Sequence, residues 1–122
     1  IFAEKINRGE PINVFNHGNM ERDFTYIDDI IDGTRKSIEK NYSCEIFNLG
    51  NSKHESIMEI IKLIERNLGK KATINFMSMQ PGDVKKTYAD INYSKEKLGY
   101  SPKTGISKGV ASFIEWYKSY NS

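Results

Sequence analysis

The stretch from Ser52 to Gly69 constrains the fold more than any other part of the chain. Its apolar residues recur every three or four positions and form one stripe on a helix: Ile57, Ile60, Ile61, Ile64 and Leu68. Ser52 and Glu55 have the spacing of a capping box, in which each side chain accepts from a free backbone amide. Gly69 fits a left-handed carboxyl-terminal cap. The sequence therefore predicts an amphipathic helix that contributes one face to a core.

Short helices and short strands are predicted around this helix. Asp28 is expected to cap a helix, and the last helix is expected to bury Val110, Phe113, Ile114 and Tyr117. The strand candidates are segments 12–15, 23–27, 45–49 and 72–77, with 87–89 as a short extended piece; the other helix candidates are segments 2–8, 27–38, 92–98 and 106–120. The fold class predicted is α/β or α+β, with few strands long enough to build a large sheet.

Composition narrows the possible functions. The chain has 18 basic and 16 acidic residues, a balance that argues against nucleic-acid binding. No apolar run approaches the roughly 20 residues that span a bilayer, so no membrane partner is expected. The single Cys44 allows no intrachain disulfide and suits a reducing cytoplasm, and its apolar neighbours predict a buried thiol. His17 and His54 lack ligand spacing, so no metal site is predicted.

Arg22 and the turn at residues 80–84 are the strongest ligand-binding signal. The guanidinium of Arg22 offers a planar fork of donors that suits phosphate. Asp83, at the end of a Pro-Gly turn, can accept hydrogen bonds from sugar hydroxyls. Neither group is a catalyst by itself, so the pattern predicts recognition of a ligand. Asp28 and Asp29 fit a helix start better than acid/base chemistry.

Five motifs, in order along the chain, resemble one family. They are Asn13–Asn19 leading into Arg22–Asp29, then segments 47–52, 80–84, 87–90 and 113–117. The chain resembles the carboxyl-terminal half of NAD-dependent nucleotide-sugar epimerases of the extended short-chain dehydrogenase/reductase superfamily. It is most similar to UDP-glucuronate 4-epimerases of the bacterial polysaccharide type.

The resemblance implies that residues 1–122 are a nucleotide-sugar-binding domain and part of a larger enzyme. Complete relatives bind NAD in an amino-terminal Rossmann domain, where a tyrosine and a lysine move protons. This chain has no Gly-x-x-Gly-x-x-Gly turn and no Tyr-x-x-x-Lys motif, so neither NAD binding nor a catalytic residue is expected here. Its start at Ile1 suggests an excised piece. Segment 45–49 is expected to join the Rossmann sheet, and the apolar surface left exposed favours a homodimer or poor solubility.

The resemblance also assigns roles to individual residues. Val14 and Phe15 would receive the uracil, Arg22 the diphosphate and Asp83 the ribose. Their structural alternatives are strand core for the first two, a surface ion pair with Glu21 or Asp23 for Arg22, and a plain turn for Asp83. Asp23 is expected to serve the fold.

Two further positions bear on the substrate. Gln80 stands where relatives acting on UDP-galactose place a second phosphate-binding arginine, so charge is lost unless Lys85 or Lys86 compensates. Thr87 leaves room for a substituent at C2 or C6 of the sugar, which fits a glucuronate or an N-acetylhexosamine.

The reaction expected is interconversion of UDP-glucuronate and UDP-galacturonate, or of a related UDP-hexose, by the complete protein. Two alternatives stay open: a nucleotide-sugar 4,6-dehydratase or decarboxylase of the same superfamily, and a non-catalytic interaction module built on this scaffold. The Asn-His-Gly loop at residues 16–18 argues against the dehydratase or decarboxylase.

Overall fold

A computed structural model describes residues 1–122, which form a small α/β fragment of short strands and several helices. The elements in chain order are α1 (Phe2–Arg8), β1 (Ile12–Val14), a 3₁₀ turn (Phe15–Gly18), β2 (Glu21–Arg22), α2 (Ile27–Lys40), β3 (Glu55–Ser56), α3 (Ile57–Leu68), β4 (Ile74–Phe76), α4 (Asn92–Leu98) and α5 (Ile106–Tyr120).

The main core forms around α3, as its apolar stripe predicted. Ile60, Ile61 and Ile64 are buried there, and Ile114 of α5 joins them. The same cluster includes Ala3 and Ile6 from α1 and Ile12 and Val14 from β1. This packing fixes α1 and β1 against the helix pair and so determines the walls of the cavity described below.

Two separate two-stranded sheets replace one large sheet. β1 runs parallel to β4, with Ile12 opposite Ile74 and Val14 opposite Phe76. β2 runs antiparallel to β3, and Glu21 forms an additional bridge with Lys86. The bridge brings the segment after the Pro-Gly turn alongside β2.

The predicted capping box at the start of α3 is wrong. The helix begins at Ile57, and Ser56 is its amino-terminal cap, with Oγ accepting from the Met58 amide at 3.2 Å. Ser52 instead donates its backbone amide to Asp23, and Glu55 lies in β3. Pairing of β3 with β2 keeps residues 55 and 56 extended and so delays the start of the helix.

Two strand predictions also need correction. No strand forms at 23–27, because Asp23 turns its carboxylate onto backbone amides and α2 begins at Ile27; the strand of this region is Glu21–Arg22, just before the predicted segment. Segment 45–49 pairs with no strand and makes no backbone–backbone hydrogen bond. Its extended backbone therefore has no sheet to join within this chain.

Helix α2 buries a different face from the one predicted. Tyr26 is its amino-terminal cap without a side-chain bond, and Asp28 lies in the first turn. Ile27, Ile31 and Ile38 are 58%, 56% and 72% exposed. The buried positions are Asp29 and Gly33, because Gly33 packs closely against the side chains of Leu49 and Tyr100.

Cys44 and Phe113 are also more exposed than predicted. Cys44 is exposed, and the segment that follows it pairs with no strand. On α5 only Ile114 is fully buried, whereas Phe113 and Trp116 are 42% and 55% exposed.

No helix of the structure combines the length and apolar character needed to cross a bilayer.

A second, smaller core stabilises the opposite part of the chain. It consists of Ile91, Leu98 and Tyr100, with Phe47 and Leu49 packed against it. The Tyr100 hydroxyl donates to the Gly50 carbonyl at 2.7 Å, and burial, followed by nearby carboxylates, raises the pKa of Tyr100 to about 12.

Candidate nucleotide-binding cavity

A cavity of about 340 Å³ opens between α1, β1 and the Pro-Gly turn. That volume lies at the lower end of the range for small-molecule sites. Its wall is mainly apolar and includes Phe2, Ile12, Val14, Phe15, Met20 and Ile57. Its charged side chains are Lys5, Arg22 and Asp83. A flat apolar group and a polar or anionic group can therefore be held side by side.

Arg22 and Asp83, sixty-one residues apart in sequence, form the polar wall. Arg22 Nη2 donates to Asp83 Oδ1 at 2.8 Å, and both side chains are about three-quarters buried. Arg22 Nη1 also donates to the backbone carbonyls of Glu21 (2.8 Å) and Lys85 (3.3 Å). Because a guanidinium has five N–H donors, two remain after these three bonds. The guanidinium is thus fixed in place and still able to bind an anion.

Asp23 fixes the backbone behind Arg22. Its carboxylate accepts from the amides of Asn51, Ser52 and Ala89, each at 2.9 Å. A side chain on Gly50 would come within 2.9 Å of Asp23 Oδ2. Asp23 therefore serves the fold, as the sequence predicted, and holds segment 87–89 beside the strand that carries Arg22.

The free edge of β1 supplies backbone donors and acceptors. The Ile12 amide donates to Thr73 and the Val14 carbonyl accepts from Met77, so both residues bond toward β4. Because backbone groups alternate along a strand, those of Asn13 point to the opposite edge, where no strand pairs. Val14 contributes its buried side chain to the wall, while the free edge belongs to Asn13 and Phe15.

Gln80 and Thr87 lie outside the cavity lining, unlike the other four predicted site residues. The exposed Gln80 accepts from the Asp83 amide through its backbone carbonyl at 3.2 Å and so shapes the turn. The half-buried Thr87 donates its amide to the Glu21 carbonyl at 3.3 Å. Both are neighbours of the polar wall through these backbone bonds to Asp83 and Glu21.

The two lysines that could replace a second arginine differ in their contacts. Lys86 Nζ contacts Glu21 Oε2 at 2.7 Å, and hydrogen bonding from this lysine lowers the pKa of Glu21. Lys85 has no ion pair. The charge of Lys86 is therefore already balanced, and only Lys85 remains uncompensated near the turn.

The two histidines lie in separate parts of the structure. His17 is in the 3₁₀ turn with φ 52°, and its amide donates to the Met77 carbonyl. His54 packs edge-on against Tyr88, with ring centroids 4.6 Å apart.

Asp29 is buried and accepts from the amides of Lys103 and Thr104, so it joins α2 to the segment that precedes α5.

Lys5 is the charged lining residue that the sequence did not predict. It lies in α1, which carried no motif, and its half-buried side chain makes no ion pair or hydrogen bond. Phe2, Met20 and Ile57 were also missed because each fits an ordinary core position. Only the packing of α1 across β1 shows that these side chains meet Arg22 and Asp83.

The cavity is equipped to bind rather than to react. It contains no histidine, cysteine, serine or tyrosine that could act as nucleophile or base. Asp83, its one carboxylate, is paired with Arg22. The two cations, Arg22 and Lys5, together with the apolar wall suit a ligand that combines a ring with phosphate.

Comparisons with known proteins identify the family. The family model described as GDP-mannose 4,6 dehydratase matches residues 2–113. An uncharacterized protein of Methanocaldococcus jannaschii is 52% identical over 95% of this chain and 36% of its own length. The UDP-glucuronate 4-epimerase of Thermodesulfobacterium geofontis is 42% identical over 96% of this chain and 36% of its own length.

A solved structure shows the same fold. It is the UDP-glucuronic acid 4-epimerase from Bacillus cereus in complex with UDP-glucuronic acid and NAD, which is 36% identical with a TM-score of 0.87. The match covers 98% of this chain and 38% of the Bacillus chain. This chain thus spans well under half the length of the relatives it matches. It belongs to the extended short-chain dehydrogenase/reductase family, represented by the GDP-mannose 4,6-dehydratase model, and corresponds to the carboxyl-terminal part of its nucleotide-sugar epimerases.

Proposed function

We propose that residues 1–122 are the UDP-sugar-binding portion of an NAD-dependent nucleotide-sugar 4-epimerase. The proposed reaction interconverts UDP-glucuronate and UDP-galacturonate or a related UDP-hexose. The observation that carries the proposal is the Arg22–Asp83 pair in one cavity with Val14 and Phe15. Relatives in the 36–42% identity range whose names specify UDP-glucuronate 4-epimerase support the same substrate class.

In this proposal the uracil lies against the apolar wall, at the free edge of β1. Phe15 offers an apolar face, and the backbone groups of Asn13 and Phe15 offer donors and acceptors. The diphosphate binds the two remaining N–H groups of Arg22, and the ribose hydroxyls donate to Asp83. Gln80 and Thr87, neighbours of the polar wall, contact the outer phosphate and the sugar. The chain contributes orientation to catalysis and no proton transfer.

The cofactor of the complete enzyme is proposed to be NAD, held by residues other than these. NAD would supply a hydride acceptor and donor at C4 of the sugar. In this chain β1 leads into the 3₁₀ turn Phe15–Gly18, which is not a glycine-rich dinucleotide turn opening a long helix. We therefore expect the chain alone to bind NAD negligibly and to lack epimerase activity.

Two surfaces support the proposal that this domain is completed by an NAD-binding domain. Ile27, Ile31 and Ile38 form an exposed apolar ridge on α2, and segment 45–49 makes no backbone–backbone hydrogen bond. An exposed apolar helix face and a segment without sheet pairing are both surfaces suited to contact with a further domain. The relatives have the additional length for such a domain. A cytoplasmic homodimer belongs to the same proposal.

Titration of the chain with UDP tests the ligand site. Calorimetry should detect binding to the wild type, and Arg22→Ala should weaken it at least tenfold because the diphosphate loses its guanidinium. Arg35→Ala removes a similar charge from the exposed face of α2 and should leave UDP affinity unchanged. Thermal melts of each variant report on folding.

The other outcomes separate the remaining candidates. A folded chain that does not bind UDP would contradict the proposal and favour a non-catalytic interaction module. Turnover of UDP-glucuronate by the chain alone would contradict the division of labour between the two domains. A dehydratase remains the second candidate reaction because the matching family model carries that description. Product analysis of the complete enzyme, epimer against 4-keto-6-deoxy sugar, distinguishes the two reactions.

A further inference from the structure

Lys5 is a charged cavity residue without a partner in this structure. Its side chain is half-buried in the lining, yet no acceptor lies within hydrogen-bonding or ion-pair distance of Nζ. Asp83, the one carboxylate in the lining, is engaged by Arg22 at 2.8 Å. A partly desolvated ammonium group is costly unless it is paired. The lining therefore contains one donor group that the fold does not use.

The position of Lys5 distinguishes it from the phosphate-binding side of the cavity. Lys5 lies on α1 beside Phe2 and the apolar wall, whereas Arg22 and Asp83 belong to β2 and the Pro-Gly turn. Lys5 and Asp83 form no ion pair, so Lys5 Nζ and the Asp83 carboxylate oxygens are more than 4.0 Å apart. If Arg22 and Asp83 hold the diphosphate and ribose, as in the proposed function on which this step depends, α1 faces the part of the base farthest from the ribose.

The chemistry of the pyrimidine ring then identifies an acceptor for the Lys5 ammonium group. In uracil the C4 carbonyl lies across the ring from N1, the atom that carries the ribose. The lysine ammonium has three donors and no acceptor. In cytosine the same position carries an amino group, which is also a donor. A lysine at that edge would thus accept uracil and disfavour cytosine, because its donor would be left unpaired.

We propose that Lys5 is a base-specificity residue, donating from Nζ to the C4 carbonyl of the uracil ring bound against β1. Asn13 is the uncharged polar residue of the lining, and its side-chain Oδ1 accepts from Asn75 Nδ2 at 3.4 Å. Lys5 is the charged side chain of the lining that has no partner within the fold.

The test is a cycle of two ligands and two proteins. UDP and CDP are titrated into the wild-type chain and into Lys5→Met, with affinities followed by NMR so that millimolar Kd values are measurable. Methionine keeps an unbranched apolar stem in place of the lysine stem. We expect the wild type to bind UDP about tenfold more tightly than CDP, and Lys5→Met to reduce this ratio at least fivefold, chiefly by weakening UDP.

The controls separate this inference from the proposed function. Lys108→Met removes the same charge from the exposed face of α5 and should leave both affinities unchanged. Equal weakening of UDP and CDP by Lys5→Met would overturn base reading, because it would assign Lys5 to the phosphates. An unchanged UDP affinity in Lys5→Met would also overturn it while leaving the proposed function intact. Absence of UDP binding to the wild type would overturn both.

Discussion

At the scale of single residues, Asp23 and Asp29, which belong to the same motif as Arg22, bind backbone amides and do not line the cavity. Asp23 accepts three backbone amides and Asp29 accepts two. Each links segments more than twenty-five residues apart. Arg22 can be fixed without a large sheet because Asp23 anchors the strand end from behind.

The sequence predicted Arg22 and Asp83 because both belong to motifs with recognisable chemistry. Lys5 could not be predicted, since its role depends on α1 crossing β1, a contact without a local signal. Cys44 was predicted wrongly for a related reason. Its apolar neighbours indicated burial, but the side chain is exposed and the neighbouring segment 45–49 joins neither sheet.

Tyr100 gives the fold a dependence on alkaline pH. Its hydroxyl is buried and donates to Gly50, and the folded-state pKa is about 12 against an ordinary value of 10.0. Because the unfolded chain releases this proton first as pH rises, Tyr100 contributes stability below pH 10 that is lost between pH 10 and 12. Tyr100→Phe should cost about 1–2 kcal/mol at pH 7 through the lost hydrogen bond.

Urea unfolding of the wild type and Tyr100→Phe at pH 7 and pH 11 measures this effect. The difference in unfolding free energy between the two proteins should shrink at the higher pH. Tyr120→Phe changes an exposed tyrosine and is the control. Its difference in unfolding free energy from the wild type should be the same at both pH values. A difference in unfolding free energy between the wild type and Tyr100→Phe that stays constant with pH would contradict this role of Tyr100.

At the scale of elements, three of the five helices, α1, α4 and α5, have the bounds that the sequence predicted. The α3 stripe and the left-handed cap at Gly69 also agree with the structure. The start of α3 differs by several residues because two tertiary contacts, β2–β3 pairing and the Asp23 carboxylate, take the residues proposed for the capping box. A local sequence signal for a helix start therefore fails where tertiary contacts use the same residues.

Two serine substitutions test which residue caps α3. Ser56→Ala should lower the unfolding free energy by about 1 kcal/mol, because the Met58 amide loses its acceptor. Ser52→Ala should change it by less than about 0.5 kcal/mol, since the Ser52 contact uses the backbone. Chemical denaturation of both variants decides the matter, and the reverse order of costs would restore the capping box.

At the scale of the whole molecule, the apolar surface is distributed as in part of a larger assembly. The buried face of α3 closes one core, whereas the ridge of α2 faces solvent. The sequence predicted the helical spacing of that ridge correctly. It could not show that the ridge has no partner within the chain, because periodicity identifies an apolar face without identifying what covers it.

Self-association of the isolated chain through the α2 ridge follows from this arrangement. Ile38, at 72% exposed, is the most accessible member, so Ile38→Lys should place a charge on the contact surface without disturbing either core. Sedimentation velocity over a range of concentrations should show the wild type associating and Ile38→Lys shifted toward monomer. Glu39→Gln makes the same change of one positive charge at an exposed neighbour and should associate like the wild type. If wild type and Ile38→Lys sediment alike while their melting temperatures also agree, the ridge is not an interface. If they differ as expected, the ridge is the apolar surface through which the isolated chain associates.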